Sequence, residues 1–426
     1  MNQDRRALFS WALYDWANSA FATVVLAGFF PLFFRDYWSD GAQSADITFN
    51  LGLANAVSSL FIVIAAPMLG AIADHGGWRK KFLAWFALLG IVMTASMFWV
   101  AQGQWQMALL LFSLGSIGFM GSNIFYDALL VSVARPKELN RTSAWGFALG
   151  YLGGGLLFAA CVGMVLNHEL FGFDGKADVI RLSFVLVAVW WTLFSIPLFL
   201  WVKEDDGVSN LSMMSTVKGG FEQFFDTFHA IKRYRYVMHF LLAYWLYIDG
   251  VDTIVRMAVD YGRAIGIDGN DLITALLLTQ FVGFPAAVAF GLLGDRIGTK
   301  KALLGGISIY FLITIWGARM DETWEFYSLA VAIGLVQGGV QALSRSLYAR
   351  LIPHDKAAEF FGFYNMLGKF AAVVGPLMMG WVAVLTQSPR MSILSLLILF
   401  GAGGLLLFFL NIDKGVALAK EENSGA

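Results

Sequence analysis

The chain has 426 residues, of which 58% are hydrophobic and 14% charged, and its mean hydropathy is +0.67. Globular domains carry about 25% charged residues, so this composition belongs in a lipid bilayer. A formal charge of −1, with basic residues dispersed over many short loops, excludes a nucleic-acid-binding surface. The single cysteine, Cys161, lies in an apolar run and excludes both an internal disulfide and a Cys-based metal cluster.

A window of about 20 residues finds six apolar segments near 8–34, 49–72, 82–101, 105–133, 142–167 and 179–202. The first follows Arg5 and Arg6 but is too long for a signal peptide and contains Asp15 and Asn18, so it reads as a retained helix. Asp15 lies roughly 10 Å into that helix, and Asn18, three residues later, shares its face. In the fourth segment Asn123, Tyr126 and Asp127 precede the basic Arg135. Glycines 146, 150, 153, 154 and 155 of the fifth allow close helix packing. A polar stretch, 203–236, then separates two six-segment units, 1–202 and 237–426. Within it Val217, Phe221, Phe224, Phe225, Phe228 and Ile231 recur at helical spacing before Lys232, Arg233 and Arg235, which predicts an interfacial amphipathic helix.

Six further segments lie near 237–263, 272–294, 302–319, 324–349, 359–385 and 391–411. The seventh carries Asp249, Asp252, Arg256 and Asp260 at i, i+3, i+7 and i+11, one stripe that cannot face lipid. Arg345 in the tenth segment, like Asp127 in the fourth, lies nearer the cytoplasmic surface. Lys369, beside Gly368 and near Asn365, is an isolated cation at depth in the eleventh.

The two units are copies. Gly70-Ala-Ile-Ala-Asp74-His-Gly-Gly77-Trp-Arg79-Lys80-Lys81 recurs as Gly291-Leu-Leu-Gly-Asp295-Arg-Ile-Gly298-Thr-Lys300-Lys301, each a tight basic turn between two spans. Trp11-Ala-Leu-Tyr14-Asp15-Trp-Ala-Asn18 is echoed by Trp245-Leu-Tyr-Ile-Asp249-Gly-Val-Asp252. Counting Lys and Arg over alternate loops gives twenty against six, which predicts that both termini are cytoplasmic. The predicted fold is all-α and integral to the membrane, with twelve transmembrane helices in two parallel six-helix repeats.

The duplicated Gly-x-x-x-Asp-x-x-Gly-x-Arg/Lys-Arg/Lys loop resembles the signature of the major facilitator superfamily over essentially the whole chain. Tyr14-Asp15-Trp16-Ala17-Asn18-Ser19-Ala20-Phe21 resembles the first-helix motif of the autophagy-related vacuolar amino-acid effluxers and their bacterial relatives. The resemblance implies a secondary transporter with a midplane site between its halves, and an amino acid or related small metabolite as solute. The fifth segment lacks the Gly-Pro-x-x-Gly-Gly ending of the superfamily's proton antiporters, so that motif does not support antiport.

On this reading Asp15, Asn18, Asp249, Asp252, Arg256, Lys369, Tyr14 and Trp245 are the candidate substrate- or proton-binding residues. Acidic side chains in the seventh segment and Lys369 would match the two charged ends of a zwitterion. A buried structural pair such as Asp252 with Arg256 is the competing reading. Asp74, Arg79, Asp127, Asp295, Lys300 and Arg345 are candidate gating groups. The expected partners are a small solute, a coupling ion (a proton) and the lipid bilayer, with a monomer in a bacterial inner membrane. A sugar permease and a non-transporting sensor are the alternatives. The five scattered histidines and the lack of a phosphate-binding Gly-x-x-x-x-Gly-Lys-Ser/Thr loop argue against an enzyme, a metal or another cofactor.

Overall fold

The computed structural model describes residues 3–39, 44–204, 213–229, 234–264 and 269–425. The first half comprises α1 (Arg5–Trp38), α2 (Ser44–Gly76), α3 (Arg79–Trp99), α4 (Trp105–Val133), α5 (Leu139–Leu166) and α6 (Lys176–Trp201). The linker helix α7 (Met213–His229) carries Val217, Phe221, Phe224 and Phe225 of the expected stripe; the side chain of Phe228, and Ile231, Lys232 and Arg233, lie outside the described residues. The second half comprises α8 (Arg235–Ala264), α9 (Gly269–Ile297), α10 (Thr299–Gly317), α11 (Thr323–Leu351), α12 (Ala357–Thr386) and α13 (Arg390–Phe409). A terminal helix, α14 (Ile412–Gly425), packs on α8 and α11.

Nine of these helices are long and apolar enough by themselves to cross a membrane, counted among the described residues. The other three of the twelve are α8, α10 and α12. In α8 the acidic stripe lowers hydropathy, and packing inside the bundle supplies the shelter that composition does not. Outward-facing side chains are apolar: Trp85, Leu312 and Phe409 are 72%, 63% and 68% exposed, the pattern of a surface solvated by lipid. Trp38, which lies near a helix end, is instead fully buried between Phe33 and Phe184. Here α1 continues through π-helical turns at Phe21–Phe29 and Phe34–Trp38.

Within the first half α1 packs on α5 and α6, and α3 on α4; within the second, α9 packs on α11 and α8 on α13. The halves meet chiefly along α2 with α12 and α5 with α9. Glycine makes the α2–α12 approach possible. A Cβ on Gly362 would lie 2.7 Å from the Ala66 carbonyl oxygen, and one on Gly70 would lie 2.6 Å from the Glu359 nitrogen. Two backbones therefore touch at the end of the bundle that carries the repeated loops.

Candidate functional site

Between the halves lies a cavity of about 380 Å³, large enough for a small polar solute. The first half lines it with Asp15, Asn18, Asn123, Asp127 and Tyr151, and the second with Asp252, Gln280, Gln341, Arg345 and Asn365. Such polar groups are costly at membrane depth unless they meet one another or water.

They meet around Arg345, which is only 3% exposed although it projects from the middle of an apolar bundle. Its Nη1 lies 2.9 Å from Asp127 Oδ1 and 3.7 Å from Asp15 Oδ2, so one guanidinium from the second half holds two carboxylates of the first. Its Nε donates to Ser143 Oγ at 2.9 Å and its Nη2 to the Ser143 carbonyl at 3.0 Å. The ring of Phe147 covers its face at 4.2 Å, with Trp11 at 4.9 Å. The carboxylates are held in turn: Tyr126 Oη donates to Asp15 at 3.2 Å, and Asn365 Nδ2 donates to Asp127 at 3.1 Å. Five helices, α1, α4, α5, α11 and α12, thus converge on one ion cluster. A planar fork serves here where an ammonium could not, because acceptors on Asp15, Asp127 and Ser143 surround it in different directions.

Among the described lining side chains, the carboxylates Asp15, Asp127 and Asp252 outnumber the single guanidinium. The carboxylates among them can meet an ammonium group or take up a proton. Asp127 and Arg345, expected as gate charges, sit at this centre: both line the cavity and bond to each other. Asn18 donates to Asn123 at 2.5 Å on the same wall.

Asp249 does not join them. It is 1% exposed, accepts the Gly375 N–H at 2.9 Å and the Thr253 hydroxyl at 3.3 Å, and faces α12 rather than the cavity. Gly375 makes room, since a Cβ there would lie 2.7 Å from Asp249 Oδ1. The repeat pairs Asp15 with Asp249, but three residues along α8 turn the cavity-facing role over to Asp252. Tyr14 is fully buried against Tyr126, 5.2 Å between ring centroids, and Trp245 is half-buried; neither lines the cavity. The side chains of Arg256, Asp260 and Lys369 lie outside the described residues. We expect Asp249→Asn to keep transport while destabilising the protein by about 1–3 kcal/mol, through loss of a charged acceptor for a buried N–H. Thermal unfolding beside solute flux measures both. Sequence reading passed over Tyr151, Gln280 and Gln341, although the rule that singled out intramembrane charges applies to glutamines too; Tyr151 and Gln341 pair across the halves at 3.1 Å.

At the loop end, Asp74 accepts the backbone N–H groups of Ala358 at 3.0 Å and Glu359 at 2.8 Å, at the start of α12, and pairs with Arg79 at 2.7 Å. A carboxylate at a helix N-terminus satisfies orphan amides and the helix dipole together. Arg79 reaches across as well, donating to the His354 and Asp355 carbonyls at 2.8 and 3.2 Å. In the second copy Asp295 pairs with Arg141 at 2.6 Å and accepts from Asn140 at 3.1 Å. Lys300 instead stays within its own half and donates to the Phe408 and Leu410 carbonyls, where α13 ends. Glu204 caps α3 through the Arg79 and Lys80 amides, and burial pushes its carboxyl up against their pull. Both aspartates thus bind the opposite half and hold the two halves together at this end. Among the described residues no group of three or more His, Cys, Asp or Glu is placed to hold a metal ion.

Two similar six-helix halves closed around a charged polar cavity define a transporter of the major facilitator class. The comparisons agree. A family described as "Vacuole effluxer Atg22 like" matches residues 47–420. The chain is 38% identical to the uncharacterized MFS-type transporter YxiO of Bacillus subtilis (strain 168), over 97% of each chain. It is 22% identical to autophagy-related protein 22 of Pyricularia oryzae, covering 84% of this chain and 64% of that one. The human organic anion transporter MFSD10 (TETRAN) superposes with a TM-score of 0.73 at 15% identity, covering 96% of this chain and 100% of that one. The proton:xylose symporter XylE superposes at 0.71 with 13% identity, covering 99% and 98%. The chain belongs to the Atg22-like vacuole effluxer family, a family of transporters and not of enzymes.

Proposed function

We propose that the protein is a secondary active transporter that moves an amino acid by alternating access and couples it to a proton gradient. The observation that carries this reading is the Asp15–Arg345–Asp127 cluster. It lies in a solute-sized cavity and is a tie between halves that must separate. Protonation of Asp127 removes one of the charges holding Arg345, and frees the guanidinium for a solute carboxylate. The remaining carboxylates then receive the solute ammonium group, so each charged end is matched when its water is stripped. The surplus of basic residues supports a cytoplasmic position for the loop end, together with both termini. The joined loop end then corresponds to a state shut on the cytoplasmic side, with Asp74 and Asp295 as its latches. A monomer in a bacterial inner membrane fits this arrangement.

The test is flux of a labelled amino-acid mixture into proteoliposomes, with and without an imposed pH gradient. We expect Asp127→Asn to lower gradient-driven accumulation at least about tenfold, in keeping with the ~1.5–3 kcal/mol of a charged hydrogen bond, while solute exchange without a gradient persists. Accumulation equal to wild type would remove Asp127 from coupling. Absence of flux for every amino acid, with flux of a sugar, would replace the solute class.

A further inference from the structure

The linker helix α7 is docked on both halves at once. On the first half it lies along α2 so closely that a Cβ on Gly220 would sit 2.5 Å from Ile72 Cα. On the second, Gln223 Nε2 donates to Glu359 Oε2 at 2.9 Å, Lys356 Nζ donates to Thr227 at 3.3 Å, and Phe224 stacks on Phe363. The brace therefore spans the seam that Asp74 latches. Glu359 is its anchor on α12. That residue is 0% exposed, and its second oxygen, Oε1, is buried without a hydrogen-bond partner. The latch makes no use of this side chain, because Asp74 takes only its backbone N–H.

A full negative charge in that place leaves an acceptor dry and sets one carboxylate beside another, whereas a neutral acid leaves only a hydroxyl there. Asp74 faces it from α2 and Lys356 from the turn before α12. From α7 it meets neutral Gln223 and Thr227, while Lys218, Glu222 and Asp226 on that helix are exposed. We propose that Glu359 is a proton-binding site separate from the central cavity, and that its protonated form lets α7 clamp the two halves shut. Loss of the proton to the aqueous phase charges the carboxyl, which then repels Asp74 and draws water into the seam. Acid at the loop end keeps the clamp closed; alkali releases it.

The test reads conformation, not transport, so its failure is distinct from a failure of the transport reading. Spin labels at Lys81→Cys and Lys301→Cys, in a Cys161→Ala background, report the separation of the halves at the loop end in lipid nanodiscs without solute. We expect the closed population of the wild type to fall about tenfold from mildly acidic to mildly alkaline pH, while Glu359→Gln stays closed at both. Gln223→Ala should lower the closed population in acid. A Glu359→Gln protein that keeps the wild-type pH response overturns the proposal, as does a wild type with none. If Glu359→Gln does not fold, infrared spectroscopy of the other proteins decides. A protonated-carboxyl C=O band that titrates in the wild type and shifts in Gln223→Ala supports the site, and a band indifferent to Gln223→Ala overturns it.

Discussion

Arg345→Ala is expected to abolish gradient-driven flux and to destabilise the protein by about 3–5 kcal/mol, the usual consequence of removing one partner from a buried ion cluster. The size follows from what is left behind. Asp15 and Asp127 are 9% and 7% exposed and both pair with this guanidinium, so its loss takes a positive charge away from two carboxylates in a low-dielectric interior. Ser143 Oγ and the Ser143 carbonyl lose their contacts to it at the same time. Adding Asp127→Asn to Arg345→Ala should recover part of the stability, because one of two like charges is gone, but no flux. That non-additivity is the signature of a coupled cluster, and thermal unfolding of the two single variants and the double variant measures it. Arg345→Lys should fall between them. An ammonium keeps the charge but cannot serve Asp127 and Ser143 in the same plane or lie flat on Phe147. Wild-type stability in Arg345→Ala would show that the carboxylates were not held by it.

Gly70→Ala carries the second large effect, on conformation more than on folding. Its new methyl would lie 2.6 Å from the Glu359 nitrogen and 2.5 Å from the Ala358 carbonyl carbon. Both are backbone atoms of α12, so no rotamer change relieves the clash and the helices must part. Overpacking of this kind costs about 1–3 kcal/mol, charged here to the closed state alone, and should lower the closed-to-open ratio at the loop end by roughly 5- to 150-fold. The spin-label pair at positions 81 and 301 reads this shift directly. Gly52→Ala, where a Cβ meets nothing within 4 Å, is the control and should leave the distribution unchanged. A closed population equal to wild type in Gly70→Ala would mean that α2 and α12 do not need this contact to shut the bundle.

Both predictions turn on residues that the sequence exposes to different degrees. The spans, the duplication and the basic turns are legible because bilayer thickness demands about 20 apolar residues and a repeated turn repeats its glycines and charges. Asp15 and Asn18 are legible for the same reason: a carboxyl inside a first helix has few places to face. The repeated turn also points to Asp74 and Asp295, which do hold the opposite half. Composition and period, however, say only that a charge faces inward, not which neighbour it meets.

The sequence by itself therefore determined the membrane class, the two-fold plan, the linker helix and the presence of buried charge, all of which follow from local hydropathy and periodicity. Tertiary structure decided the partners. It drew Arg345 and Asp127 from the gate to the centre, turned Asp249 onto Gly375, left Asp252 to the cavity, set Lys300 on the end of its own half and carried α7 onto Glu359. A rotation of about 100° per residue makes the direction of a side chain depend on how a whole helix is seated, and that seating is settled by contacts from helices far away in the chain.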